Sequence, residues 1–154
     1  MTDTQNDIPR SALVLGVAGL IPFFGLSAAI ALRISVPYGS ASLWLAAYGA
    51  IILSFMGGAQ WGLAVAKARL GGLTAWRAYG VSVIPALIGW PALFLPISWA
   101  LATLSVTFAC LLGYDLWTVR RGEAPPWYGQ LRLGLTAAVV LCLTFAILAN
   151  RAPI

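Results

Sequence analysis

Apolar residues run along this chain in five long blocks, at about 11–32, 42–66, 77–95, 98–119 and 128–149, separated by short polar or turn-forming stretches. A helix crosses the hydrocarbon core of a bilayer with about 20 predominantly apolar residues, so each block is of spanning length or close to it. The pattern predicts an all-α, polytopic transmembrane helix bundle with five spans. They form one membrane domain over 11–150, between a polar tail at 1–10 and a short tail at 151–154.

The breaks between blocks carry their own signals. Pro9-Arg10 closes the N-terminal tail, and Pro37 and Gly39 sit in the first loop as turn formers. Ala29-Ile30-Ala31 mimics a signal-peptidase site, but one Arg against two Asp precedes the apolar run, so a retained span is expected. Pro22, Pro85 and Pro91 fall inside predicted spans and are expected to kink them, because proline removes a backbone donor and crowds the carbonyl four residues earlier. Leu95-Pro96-Ile97-Ser98 leaves room only for a tight connection, with Ser98 as a candidate N-cap, and predicts an antiparallel hairpin of spans three and four.

Within the second block small residues recur at every fourth position: Ala46, Ala50, Ser54, Gly58, Gly62 and Ala66. Residues four apart share a helix face, so they predict a ridge nearly free of side chains. In lipid such a face admits another backbone closely, in a right-handed crossing of the Gly-xxx-Gly kind. The ridge is therefore the expected packing centre. Its occupant is a span of the same chain, another copy or partner subunit, or a bound lipid or small molecule.

Composition agrees with a lipid environment. Of 154 residues 61% are hydrophobic and only 8% charged, with a mean hydropathy of +0.92; soluble domains carry about 25% charged residues. The net charge of +5 does not indicate nucleic acid, because the basic residues are scattered at span ends and form no face interleaved with aromatics. They segregate instead. Arg10, Lys67, Arg69, Arg77, Arg120, Arg121 and Arg132 fall on one side of a five-span topology, and Arg33 and Arg151 on the other. By the positive-inside rule this places the N-terminus in the cytoplasm and the C-terminus outside. Trp76, Tyr79, Trp117, Trp127 and Tyr128 near the basic side, and Tyr38, Trp44 and Trp99 near the other, form the expected aromatic belts.

Little chemistry is available. Histidine is absent, which removes imidazole ligands and any Ser-His or Cys-His pair. Cys110 and Cys142 lie in apolar runs and read as buried fillers. Asp115 is a carboxylate within a span, about one turn from the end of its helix, where the dipole disfavours an anion. It calls for a cationic partner, and Arg69, Arg77 and Arg132 are predicted at similar depth. Gln60 is a polar group in an apolar run and is expected to bond across helices. No cofactor or metal is implied.

Gly19-Leu20-Ile21-Pro22-Phe23, Tyr48-Gly49-Ala50 with Ser54-Phe55-Met56-Gly57-Gly58 and Trp61-Gly62, then Pro85, Asp115 and Trp127-Tyr128 with Leu131-Arg132, resemble the transmembrane-protein-69-like family. The resemblance covers the chain from about residue 12. It implies a small multispan protein of a bacterial or mitochondrial inner membrane, here the bacterial cytoplasmic membrane, and brings no assigned reaction. Gln60 stands where that family's pattern often has a basic or imidazole side chain.

The expected function is that of a non-enzymatic accessory, scaffold or assembly subunit, with membrane lipid and other membrane subunits or a second copy as partners. The alternative is a small transporter or a lipid- or quinone-binding protein, with a midplane cavity near Pro22 and Pro85 lined by Ser54, Gln60, Ser82 or Thr107.

Overall fold

The apolar blocks fold as helices, the first of them in two pieces. A computed structural model describes residues 7–66 and 73–151. Its helices are α1 (Arg10–Ala18), α2 (Ile21–Ala31), α3 (Ala41–Ala66), α4 (Leu73–Ala92), α5 (Ile97–Arg120) and α6 (Pro126–Arg151). Among the described residues there is no strand beyond an isolated bridge between Val36 and Gly39. Four stretches, Arg10–Ala31, Ala41–Val65, Ile97–Arg120 and Pro126–Asn150, are long and apolar enough to cross a membrane, and Tyr79–Ala92 is a shorter apolar helix.

The prolines act differently from one another. Pro22 sits in the first turn of α2 rather than mid-helix, and the interruption falls just before it, at Gly19-Leu20. There Leu20 N–H bonds the Val17 carbonyl three residues back, and the Gly19 carbonyl accepts the Tyr48 hydroxyl of α3 at 3.0 Å. A broken helix survives inside a bilayer only where neighbours satisfy the freed backbone groups. Pro85 and Pro91 lie inside α4. Past Pro91 the chain tightens into bonds from Leu93, Phe94 and Leu95 to carbonyls three residues back, and α5 begins after Pro96. Pro96, not Ser98, occupies the cap position, because its extended ψ of 140° already turns the chain one residue before Ile97. Gly122, at φ 69°, closes α5, with Glu123 N–H bonding the Thr118 carbonyl. Such a left-handed residue suits glycine.

Only the first half of the small-residue ridge on α3 is a packing face within the described residues. Ala46 and Ala50 are buried, whereas Ser54, Gly58 and Gly62 are exposed, and a Cβ placed on either of those glycines meets nothing within 4 Å. The side chain of Ala66 lies outside the described set. One buried seam on α3 instead runs through Ala46, Ala50, Leu53, Gly57, Gln60 and Ala64, spaced alternately by four and three, with Ala41, Ser42, Leu45 and Gly49 buried beside its start. The same alternation recurs in α4 (Ser82, Pro85, Gly89, Ala92), in α5 (Leu101, Leu104, Phe108, Leu111, Asp115, Thr118) and in α6 (Gly129, Arg132, Thr136, Val139, Leu143, Ala146). The reason is geometric. At 3.6 residues per turn a four-residue step overshoots by about 40°, so a stripe of five such residues winds roughly 160° around the helix. Alternating steps of three and four hold one side, as in left-handed bundles.

The closest helix approach uses Gly57, one residue off the ridge. A Cβ there would overlap the Ser82 carbonyl oxygen of α4. Seven residues away in each helix, a Cβ on Gly89 would stand 3.4 Å from the Ala50 Cα, which makes α3 and α4 an antiparallel pair. On the other side of α3, Leu104 and Phe108 of α5 pack at Gly49, and Phe23 of α2 meets both Tyr48 and Phe108 edge-on, at centroid distances of 5.0 and 6.3 Å. Phe23, Leu45, Leu53, Leu101, Leu104, Phe108 and Leu143 form the fully buried centre. The outer surface is apolar, with Leu15, Ile21, Phe55, Trp90, Phe94 and Leu141 among its exposed residues. Cys142 is buried, but Cys110 faces outward from α5, a correction to its expected role as a buried filler. It falls off the seam that α5 buries.

Gly57→Ala should destabilise the bundle by about 1–3 kcal/mol through overpacking. Gly58→Ala and Gly62→Ala should cause no loss, since a Cβ there meets open space and alanine favours the helix. Helicity melts in mild detergent distinguish these outcomes, and equal losses at all three glycines would contradict the register.

Candidate functional site

Near the ends of α3 and α5 and the start of α6, four polar side chains converge: Asp115, Arg132, Gln60 and Tyr128. Asp115 of α5, 1% exposed, accepts a hydrogen bond from Arg132 Nε of α6 at 2.5 Å on Oδ2. Its Oδ1 accepts one from Gln60 Nε2 of α3. The Tyr128 hydroxyl, one turn before Arg132, stands 3.4 Å from the same oxygen. Arg132 and Gln60 are 4% and 6% exposed, and Tyr128 is half-buried.

Each partner arrives by helical spacing. Tyr128, Arg132 and Thr136 lie four apart on α6 and face the same neighbours. Gly129, between them, faces α5, where a Cβ would sit in van der Waals contact with Leu116 and Val119. Thr118 donates to the Asp115 carbonyl at 2.7 Å, which ties down the last turn of α5 around the carboxylate.

The electrostatics follow from this placement. Asp115 lies one turn from the C-terminus of α5, on the unfavourable end of its dipole. A lone carboxylate in hydrocarbon is costly, and a guanidinium in contact removes the net charge. Arg132 is not used up by the pairing. Nη1 lies against Met56 Sδ of α3, while Nη2 has no hydrogen-bond partner among the described residues. Thr136 Oγ1 is likewise buried and unpartnered.

Of the other candidates, Arg77 is exposed and Arg69 lies outside the described residues. Pro85 and Thr107 line a groove of about 200 Å³ between α4 and α5, walled also by Ile84, Ile88, Val106 and Cys110. Ser54, Gln60 and Ser82 do not line it. Among the described residues no group of three or more His, Cys, Asp or Glu is placed to hold a metal ion. Two participants escaped the sequence reading. Met56 gives no polar signal, and Thr136 is legible only through its four-residue spacing from Arg132.

Arranged this way, the chain is a helical membrane protein whose interior is clasped by a buried, hydrogen-bonded ion pair joining three helices. It belongs to the family described as protein of unknown function (DUF3429), whose model matches residues 8–148. It is also similar to Transmembrane protein 69 of Xenopus tropicalis, at 36% identity over 141 residues, covering 90% of this chain and 54% of that protein. The chain thus spans about half the length of that relative. No solved structure matches it.

Removing one member of the clasp leaves the other charge stranded. Asp115→Leu and Arg132→Met should each cost about 3–5 kcal/mol of stability. The double variant Asp115→Leu with Arg132→Met should lose less than either single one, because no buried charge remains. Unfolding titrations in mixed micelles measure the cycle, and additive losses would show the pair to be uncoupled.

Proposed function

We propose that this protein is a non-enzymatic accessory or assembly subunit of a bacterial inner-membrane complex. On this reading it crosses the membrane five times, with its N-terminus in the cytoplasm, and docks another transmembrane helix on the outward half of α3. One observation carries the docking. Ser54, Gly58 and Gly62 form an uncovered groove floor on an outer face, between exposed Ile51, Phe55, Trp61 and Val65. In lipid, shape complementarity to a small-residue groove is what drives helix association.

The five-span reading is supported by α4. Twenty residues of helix reach about 30 Å, the hydrocarbon thickness, and its antiparallel packing on α3 returns the chain to the opposite face. Orientation rests on charge: Arg10, Arg77, Arg120 and Arg121 gather at one end of the bundle, against Arg33 at the other. Arg132, buried on Asp115, no longer contributes to that asymmetry. A non-enzymatic role is favoured by the state of Asp115, whose carboxylate oxygens are both engaged and shielded.

Purified gently from its native membrane, the protein should migrate as a larger assembly on native gels. Gly58→Leu with Gly62→Leu should release a monomer whose helix melt is unchanged. Co-purification of two differently tagged copies separates self-association from a distinct partner. Monomeric migration of the unaltered protein would overturn the docking.

Orientation is read separately, from reporter fusions at both termini. An alkaline phosphatase fused at the C-terminus should be active and one at the N-terminus inactive. Two termini on one side would refute the five-span topology.

A further inference from the structure

A cavity of about 90 Å³ opens beside the clasp, between the α1–α2 interruption and helices α3, α5 and α6. Gly16 and Gly19 form its wall at the interruption, Phe55 and Phe108 two further walls, and Arg132 and Thr136 its polar side. We propose that this cavity binds an apolar molecule through a neutral carbonyl oxygen, held by the guanidinium of Arg132 and the hydroxyl of Thr136.

Two orphaned groups point to an acceptor. Arg132 Nη2 and Thr136 Oγ1 are buried without partners among the described residues, on side chains that are 4% and 2% exposed. A buried donor left unpaired loses its hydration for nothing, a penalty comparable to the hydrogen bond itself. The hydroxyls of Ser54, Ser105 and Thr107 relieve it by donating to the carbonyl four residues back. Thr136 has the same outlet on α6 and does not take it.

The chemistry of the occupant follows from charge and volume. Asp115 already neutralises Arg132, so a phosphate or carboxylate would leave an uncompensated negative charge among apolar walls, which is costly. A neutral carbonyl oxygen has two lone pairs and satisfies both donors at once. Water is a poor filler, because each molecule occupies about 30 Å³ and needs two to four polar partners. Two orphaned atoms hold one water and leave the remaining space facing Phe55, Phe108 and Leu135. A carbonyl on an apolar body fits both parts. The exposed side chains of Leu15 and Phe55 at the rim place the entrance on the lipid-facing side. Quinone rings and acyl esters both carry this chemistry and both arrive through the bilayer.

The test uses the full chain in dodecyl maltoside, a detergent without carbonyls, titrated with decylubiquinone or with methyl palmitate. Saturable binding of one molecule is expected for at least one of the two. Thr136→Val, equal in shape but without the hydroxyl, should weaken it about five- to thirtyfold, the equivalent of one or two kcal/mol. Thr136→Ser should restore it. Ile52→Phe, which fills the cavity from α3, should abolish it independently of the hydroxyl. Binding of decylubiquinone alone identifies a quinone ring as the source, and binding of methyl palmitate alone an acyl ester. Saturable binding of neither probe, or wild-type affinity in Thr136→Val and Ile52→Phe, overturns the proposal. Neither outcome bears on the α3 groove, so the two readings fail separately.

Discussion

A polar group that enters this bundle can draw no partner from hydrocarbon, so an unpaired one is costly. This constraint explains where the structure spends its few polar side chains. The interruption between α1 and α2 exposes backbone at mid-helix, and the Tyr48 hydroxyl takes up the Gly19 carbonyl from the neighbouring helix. Asp115 would be prohibitive alone, and it is surrounded by Gln60, Arg132 and Tyr128 from two other helices. At the far end of α6, Asn150 donates to Ser42 of α3 at 2.9 Å. These contacts tie α3 to α2, α5 and α6, which leaves α4 held to α3 by shape.

That last contact shows how packing replaces hydrophobic drive between helices in lipid. Gly57 removes the side chain that would separate α3 from α4 and lets the Ser82 carbonyl come up against its backbone, while Gly89 packs beside Ala50. Other small residues on α3 make no such contact among the described residues. Ser54, Gly58 and Gly62 face outward, so one helix carries two different close-packing surfaces. One is filled by α4, and the other gives the proposed docking role its physical basis.

The clasp and the cavity are linked through Arg132. Its Nε holds Asp115 in place, its Nη2 has no partner among the described residues, and the side chain lines the cavity. A guanidinium has five donors in a fixed fork, so a single carboxylate bound through Nε cannot satisfy it. The pairing that secures the fold therefore leaves donor capacity beside an apolar space, close to the interrupted helix and reachable from the lipid.

Much of this was readable from residue order alone. The apolar blocks marked the helices and the lipid surroundings, since block length and the scarcity of charge depend on nothing beyond the chain. Asp115 announced a need for a cation for the same reason. Which cation, and which face of α3, were decided by tertiary structure. Arg69, Arg77 and Arg132 were equivalent by depth, and only the helix rotation that sets the α5–α6 seam puts Arg132 on the carboxylate. The four-residue ridge misled because it ignores rotation: small residues describe a stripe, while packing selects a side. A stripe that winds around its helix is seen by several neighbours in turn, so sequence determines its existence and only the placement of those neighbours determines which half is buried.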